Sequence, residues 1–426
     1  MKFFKHGFRL LFIALAVLSI YIPYRTYSAP GTWTDGPTGR RYTYRDGSVP
    51  RNTWIADRGQ VHYVDETGTE RTGWIRDGDD EYYVASPGEP LRETLKTLDG
   101  RLVAFDEQGH AVRTGFFVQN NASYYIKADG TLAKNEVVDG YYADAEGILT
   151  RVAPEGKTRY HLTLDHLRAL PEFSDMFAAY DAALTPEGQE IFYDAICRFN
   201  DGYLEGETVS TVVLPNDVLR GMPDIQTFVD LYRYHLFMPG LRDTVNYYKP
   251  AVAGQSSLSM TMDNTGCVLR LSRTETPPKV LETIRAGRDR VVAAASAEKG
   301  DWARITAAVN TLMEGCVYKK GMERHHSYGV YADHAGVCES FATALTDILN
   351  EMGYEVFLQT GYLYGDGPAA GGAHGWVRIR INDTWREIDP TTLAGGSASE
   401  YILKTKEFFE ANGYAYAQAG PLPESP

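Results

Sequence analysis

Cysteine is scarce in this chain: only Cys197, Cys267, Cys316 and Cys338 occur among 426 residues. A small secreted domain held together by disulfides would carry more cysteines at closer spacings, so the fold is expected to rest on ordinary hydrophobic cores. The sequence leaves open one disulfide bridge among Cys197, Cys267 and Cys316. The length favours two or three domains.

Basic residues are also fewer than acidic ones. Lysine and arginine total 42 against 56 aspartate and glutamate residues, which gives a formal net charge of −14. Nucleic-acid-binding proteins present a basic surface, so this balance argues against nucleic acid as a partner.

Long apolar runs are missing except at the beginning of the chain. There, Lys2, Lys5 and Arg9 precede an apolar stretch at 10–22. This stretch is short for a membrane-spanning helix and typical of a signal peptide, with cleavage expected after Ser28. Residues 1–29 are therefore predicted to be a signal peptide, and an uncleaved N-terminal anchor is the alternative. In both cases the rest of the protein lies outside the membrane, and a secreted location is expected.

Residues 31–152 repeat a short unit that ends in a glycine. The glycines follow one another at spacings of 17 to 21 residues: Gly47, Gly68, Gly88, Gly109, Gly130 and Gly147. An aromatic residue stands shortly before each glycine, and Trp33, Trp54 and Trp74 open the first three units. Aromatic residues that alternate with polar ones before an Asp-Gly or Thr-Gly turn predict one β-hairpin per unit. Such units bury their apolar faces by stacking, so a β-solenoid is predicted.

The repeats resemble the cell-wall-binding repeats, of choline- or glucan-binding type, of Gram-positive surface proteins. The resemblance implies a cell-wall polymer of choline, glycan or teichoic-acid type as partner. Aromatic faces bind cations and sugars well, and the candidate residues are Trp33, Trp54, Trp74, Tyr44, Tyr63 and Tyr83. The alternative for each residue is a place in the core of the array.

Residues 155–298 are predicted to form a mainly helical segment, because apolar residues recur there at helical spacing. Within it, 257–262 and 267–272 alternate as a pair of strands does, joined by a turn at 263–266. No side chain in this segment indicates chemistry.

Three short segments further along carry the chemistry of the chain. They are Gly336-Val-Cys338-Glu-Ser-Phe-Ala342, Ala373-His374-Gly-Trp376 and Ile388-Asp389-Pro-Thr391. A thiol, an imidazole and a carboxylate form the set that activates a cysteine nucleophile. The alternative for Cys338 alone is a buried structural cysteine. No closely spaced pair of metal ligands accompanies the set, and neither a metal nor a cofactor is expected.

Periodicity gives these residues a predicted geometry. Residues 337–352 have helical spacing, which places Cys338 in the first turn, where the helix dipole stabilises a thiolate. Residues 374–381 and 384–389 are predicted strands joined by a turn at Asn382-Asp383. This pairing brings Asp389 within side-chain reach of His374.

These segments together resemble the transglutaminase-like superfamily, in its secreted bacterial branch. The matching residues are Gly336-Val-Cys338-Glu-x-Phe-Ala342, His374-x-Trp376 and Trp385-x-x-Ile-Asp389-Pro-Thr391, with Tyr328 ten places before the cysteine. Ser340-Phe341 departs from the Gly-Tyr found in many relatives. The resemblance implies an α+β, papain-like core over 299–410, followed by a tail at 411–426. It also implies a Cys338, His374 and Asp389 triad. Tyr328 and Trp376 are candidates to support the site near the oxyanion, and packing is the alternative for Tyr328.

The chain is therefore predicted to be a multidomain, wall-attached cysteine enzyme that acts on a protein or peptide. A thioester acyl-enzyme can pass its acyl group to water or to an amine, and the sequence leaves both acceptors open. A non-catalytic adhesin or scaffold, with the same domain as a binding module, is the alternative.

Overall fold

The computed structural model describes residues 31–152 (without 38), 162–235 (without 204), 257–320 (without 263, 265 and 274), 327–364, 371–394 and 400–418. The predicted signal peptide lies outside these residues. Two compact units divide the chain, Met1–Thr150 and Arg151–Pro426. Of the helices in the described ranges, none has the length and apolar character that crossing a membrane requires.

The first unit consists of short strands that pair along the chain. The strands are Gly31–Gly36 (β1), Gly39–Tyr44 (β2), Thr53–Asp57 (β3), Gln60–Val64 (β4), Glu70–Arg71 (β5), Gly73–Asp77 (β6), Asp80–Ser86 (β7), Glu89–Pro90 (β8), Thr94–Leu98 (β9), Arg101–Phe105 (β10), Ala111–Val112 (β11), Gly115–Gln119 (β12), Ala122–Ile126 (β13), Glu136–Val138 (β14), Tyr141–Ala143 (β15) and Leu149–Arg151 (β16). They form small separate sheets of two or three strands, each built on an antiparallel hairpin. The prediction of one hairpin per repeat is confirmed, while the solenoid form stays a prediction.

An aspartate and a glycine shape the turn that closes several repeats. Asp65 accepts backbone N–H groups from two of the residues that follow it, and Asp106 and Asp144 do the same. Gly68, in the first of these turns, has a φ of 79°, a conformation that favours glycine. The repeated acid and glycine therefore satisfy the backbone in these turns, which join the second strand of a sheet to its third.

The tryptophans link neighbouring hairpins. The indole N–H of Trp54 donates to Asp77 over 3.0 Å, and that of Trp74 donates to Asp99 over 3.0 Å. Trp33 makes the equivalent bond to Asp57 over 3.2 Å. Each acceptor lies in a later hairpin, so the repeated tryptophan stabilises the stacking of one repeat on the next.

The second unit is a mixed α/β structure. Its helices are Leu164–Arg168 (α1), Ser174–Ala183 (α2), Pro186–Asp201 (α3), Ile225–Arg233 (α4), Pro278–Ser296 (α5), Asp301–Met313 (α6), Ser327–Asp333 (α7), Cys338–Glu351 (α8) and Lys406–Ala411 (α9). Its strands are Val209–Pro215 (β17), Ser257–Met262 (β18), Gly266–Ser272 (β19), Val317–Tyr318 (β20), Ala335–Gly336 (β21), Glu355–Leu363 (β22), Gly372–Ile381 (β23), Thr384–Ile388 (β24) and Tyr414–Tyr416 (β25). Short 3₁₀ turns lie at Pro171–Phe173, Asn216–Val218 and Pro390–Leu393.

A four-stranded antiparallel sheet in the order β24-β23-β22-β25 supports helix α8. The predicted helix at 337–352 is observed as α8, and the predicted hairpin is observed as β23 and β24 in the expected register, with Val377 opposite Ile388. Asn382 and Asp383 have φ values of 50° and 59°, as a two-residue hairpin turn requires. Residues 411–426, assigned to a tail on the sequence, include β25 of this sheet.

The mainly helical segment and the sheet share one hydrophobic core. Many buried side chains between Leu162 and Leu403 belong to one cluster, which includes Phe173, Phe341 and Val377. The predicted strand pair is observed as β18 and β19, and β17 pairs with β19 on the other side. The papain-like form of the core and the boundary between 298 and 299 stay predictions.

The core under α8 generates a stability prediction. Phe341 is fully buried, so Phe341→Ala should lower the free energy of unfolding by about 3–5 kcal/mol through a cavity. Urea unfolding followed by helical circular dichroism measures the change. Met222→Ala is the control, since Met222 is 88% exposed and its loss should change stability by less than about 0.5 kcal/mol. Equal effects of the two substitutions would contradict this account of the core.

Candidate active site

Cys338 is the first residue of helix α8. The Ser340 hydroxyl accepts the backbone N–H of Val337 and donates to its carbonyl, both over 2.8 Å. A side chain at Gly336 would collide with the Ser340 hydroxyl, so the backbone approaches this helix closely only with glycine there. Ser340, where the sequence departs from many relatives, therefore fixes the helix start that holds the thiol at the positive end of the dipole.

His374 lies on β23, and its ring is fully buried. Its Nε2 donates to Asp389 Oδ2 over 2.8 Å, which leaves Nδ1 to exchange a proton with the Cys338 thiol. Burial disfavours the imidazolium, but the charges of Asp389 and Cys338 and hydrogen bonds with both raise the pKa of His374 to about 10. The surroundings thus favour a charged imidazole beside the thiol.

Asp389 follows β24 and is fully buried. Its Oδ1 accepts the backbone N–H of Thr391 over 2.9 Å, and its Oδ2 accepts both His374 and the hydroxyl of Tyr414, the latter over 2.6 Å. Burial favours the protonated form, but His374 and these hydrogen bonds lower the pKa of Asp389 below its ordinary value. The structure therefore brings together the three residues that the sequence selects.

Tyr318 lies against the thiol and was missed by the sequence reasoning. Strand β20 pairs in parallel with β21, which places Tyr318 opposite Gly336, two residues before Cys338. Burial, the electrostatic effect of Cys338 and a hydrogen bond with its side chain raise the pKa of Tyr318, while the backbone N–H of Cys338 opposes the shift. The strand pairing that brings Tyr318 there has no local sequence signal.

The two predicted site supports, Trp376 and Tyr328, lie in different surroundings. Trp376 is fully buried, and its indole N–H donates to Glu387 over 2.9 Å, so that group is already engaged. Its ring stacks on His374, with centroids 6.1 Å apart. Tyr328 packs against a separate cluster that contains Tyr203 and Ile284. Trp376 therefore packs on the imidazole through its ring, and the support of the oxyanion region by Tyr328 and Trp376 stays a prediction.

A buried ionic network lies on the sheet beside Trp376. Arg378 pairs with Glu387 over 2.8 Å and with Glu172 over 3.3 Å, and Lys406 contacts Glu172 over 2.6 Å. Burial raises the pKa of Glu387 to about 7 against the opposing effect of Arg378. The network joins the helical segment to the strand that carries His374, and it was not visible as a pattern in the sequence.

All four cysteines lie in described residues and are free and buried, so the bridge left open on the sequence is not formed. Across the described ranges, no group of three or more histidine, cysteine or acidic side chains is placed to hold a metal.

The aromatic candidates of the first unit divide into two groups. Trp54 and Tyr63 are 6% and 8% exposed and pack with Tyr82 in a small core, which favours their structural interpretation. Trp33, Trp74, Tyr44 and Tyr83 are half-buried.

An arginine of the protein lies over the ring of each of two half-buried tryptophans. The guanidinium of Arg40 lies 4.7 Å from the ring of Trp33, and that of Arg113 lies 4.4 Å from the ring of Trp74. Arg113 also pairs with Glu81 over 3.0 Å. A cationic ligand would have to displace these arginines to use the same faces.

A comparison with protein families finds a match over the segment that contains Cys338, His374 and Asp389. Residues 287–390 match the model of the transglutaminase-like superfamily. The transglutaminase-like segment includes α8 and β23 and ends just after Asp389. No curated protein sequence matches the chain.

Solved structures resemble the N-terminal region. Choline binding protein F from Streptococcus pneumoniae is 27% identical, with 29% of this chain and 41% of that chain covered and a TM-score of 0.24. The choline-binding domain of CbpL from Streptococcus pneumoniae is 23% identical, with 29% and 65% covered and a TM-score of 0.23. The pneumococcal cell wall endolysin from phage Cp-1, complexed with choline, is 23% identical, with 32% and 42% covered and a TM-score of 0.21. The chain thus spans less than half the length of the first of these structures.

The raised pKa of His374 generates a pH prediction. Its imidazolium is present below about pH 10 and is lost as the pH rises through that value. An ordinary thiol, with a pKa of about 8.5, is almost entirely protonated at about pH 6. Because the imidazolium beside Cys338 favours the reactive thiolate, we expect iodoacetamide to alkylate Cys338 faster than an ordinary thiol at about pH 6. His374→Ala should slow this reaction by about 100-fold at that pH, with a smaller effect at higher pH.

Cys267 and Cys316 are the internal controls for this measurement. Burial raises the pKa of both thiols to about 11, so mass spectrometry should find them unmodified in the folded protein. Equal alkylation rates at Cys338 in the wild type and in His374→Ala would show that the imidazole does not activate the thiol.

Proposed function

We propose that the second unit is a cysteine acyl-transfer enzyme that acts on an amide or ester of a protein or peptide. The observation that carries the proposal is the buried hydrogen bond from His374 Nε2 to Asp389 Oδ2 beside a thiol at a helix start. It holds the imidazole in the tautomer that can accept the thiol proton at Nδ1. The family match over 287–390 supports the same assignment.

In the first half of the reaction, the Cys338 thiolate attacks the substrate carbonyl and forms a tetrahedral oxyanion. The backbone N–H of Cys338 and the hydroxyl of Tyr318 are the donors available to that oxyanion. Collapse breaks the bond to the leaving amine or alcohol, which receives its proton from the imidazolium of His374. The product is a thioester on Cys338.

In the second half, an acceptor with an N–H or O–H group attacks the thioester. His374 takes the acceptor's proton, the C–S bond breaks and the thiol is restored. Water as acceptor completes a hydrolysis, whereas a primary amine forms a new amide. The residues of the triad serve both acceptors equally, so the proposal covers both.

For the first unit we propose attachment to a polymer of the bacterial cell wall, with a secreted location. Repeated hairpins that each present an aromatic residue at the same place suit a repetitive polymer. Half-buried Trp33 and Trp74 are better placed to bind than buried Trp54, because their rings are partly accessible. Their contacts with Arg40 and Arg113 support an affinity of these faces for cationic groups.

The catalytic proposal predicts the outcome of a two-product assay. The full chain is incubated with a peptide library and a labelled primary amine, and mass spectrometry follows cleavage and amine incorporation together. We expect Cys338→Ala to abolish both products, since the proposed thioester forms on that thiol. Cys267→Ala is the control and should retain them. Full activity in Cys338→Ala would overturn the mechanism.

The attachment proposal predicts a separation of binding from catalysis. Removal of residues 31–150 should abolish sedimentation with purified cell walls, whereas Cys338→Ala should sediment like the wild type. The thiol reactivity of the shortened protein reports that its second unit is folded. If the shortened protein still sediments with walls, the repeats are not the attachment device.

A further inference from the structure

Tyr414 contacts the carboxylate of the triad from a strand far along the chain. It lies on β25, which pairs with β22 and places Tyr414 opposite Leu363. Its side chain is 4% exposed, and its hydroxyl donates to Asp389 Oδ2 over 2.6 Å. The same oxygen receives His374 Nε2. One carboxylate oxygen therefore accepts both the phenol and the imidazole.

We propose that Tyr414 is a positioning residue that keeps Asp389 ionised and aimed at His374 in the acyl-transfer reaction. The inference rests on the proposed function of the Cys338 and His374 pair. It adds a fourth side chain to the triad, one that does not touch the substrate and acts only through Asp389.

The first physical reason is the burial of Asp389. A fully buried carboxyl group favours its neutral form, and donors to the charged form oppose that tendency. Asp389 has the backbone N–H of Thr391 on Oδ1, and Tyr414 and His374 on Oδ2. Without the phenol, the imidazole alone would donate to Oδ2, so the carboxylate would be protonated at a higher pH.

The second reason is geometric. Donors on both oxygens prevent the carboxylate from rotating, because any rotation breaks at least one strong hydrogen bond. The ring of Tyr414 also packs on its neighbours, with centroids 5.7 Å from His374, 5.3 Å from Trp376 and 4.4 Å from Phe409. Phenylalanine keeps these ring contacts and removes only the hydroxyl, so Tyr414→Phe isolates the hydrogen bond.

Tyr416 provides a matched control on the same strand. Its ring lies 5.0 Å from Trp376, and its phenol interacts with Glu387 rather than with Asp389. Tyr416→Phe therefore removes a buried phenol next to a carboxylate without changing the donors to Asp389.

The test measures the rate of Cys338 alkylation by iodoacetamide against pH in the full chain. If Asp389 takes up its proton at a higher pH than in the wild type, it stops stabilising the imidazolium of His374 at that pH. The imidazolium then no longer favours the thiolate of Cys338. We expect Tyr414→Phe to move the acid limb of the profile upward by about one pH unit, which is about a tenfold slower reaction on that limb. Tyr416→Phe should leave the limb in place.

A second pair of variants separates positioning from a general loss of stability. In an Asp389→Asn background, Tyr414→Phe should cause no further shift, because the group through which it acts has lost its charge. An additional shift in that background, or identical profiles for Tyr414→Phe and the wild type, overturns the inference.

The alkylation rate of wild-type Cys338 distinguishes a failure of the proposed function from a failure of the role of Tyr414. A wild-type Cys338 that reacts no faster than a free thiol overturns the proposed function, and the role of Tyr414 with it. A fast wild-type thiol with an unchanged Tyr414→Phe profile overturns the role of Tyr414 alone.

Discussion

The hydrogen bond between His374 and Asp389 is the interaction on which the candidate site depends. Both side chains are fully buried, and neither would tolerate a charge there without the other. The 2.8 Å contact offsets the cost of burying both groups and sets which imidazole nitrogen faces the thiol. This pairing contributes both to the raised pKa of His374 and to the lowered pKa of Asp389.

Much of the second unit serves to hold that pair in place. Strand β23 carries His374, and β24 leads directly into Asp389. The network of Arg378, Glu387 and Glu172 ties the helical segment to the same strand. Through Glu172, the helical segment thereby becomes part of the support for the strand that carries His374.

In the first unit, the repeated aromatic residues serve mainly the structure. Trp54 donates to the turn of a later hairpin and packs between Tyr63 and Tyr82. The faces of Trp33 and Trp74 remain partly accessible, but Arg40 and Arg113 lie over them. Rings that pack between hairpins are closed to the proposed ligand, so the half-buried rings of Trp33 and Trp74 are better candidates for binding than buried Trp54.

The sequence by itself determined the repeats, helix α8, the hairpin of β23 and β24, and the order of thiol, imidazole and carboxylate. These features are local: apolar spacing sets helix or strand, and Asn382 with Asp383 sets the turn and hence the register that brings Asp389 to His374. Only the tertiary structure decided that Tyr318 accompanies the thiol, that Trp376 donates to Glu387, and that Tyr414 belongs to the sheet and not to a tail. Tyr414 stands 25 residues beyond Asp389, and no periodicity spans that separation. Such contacts arise from the packing of whole strands, which depends on the entire core rather than on any short stretch of chain.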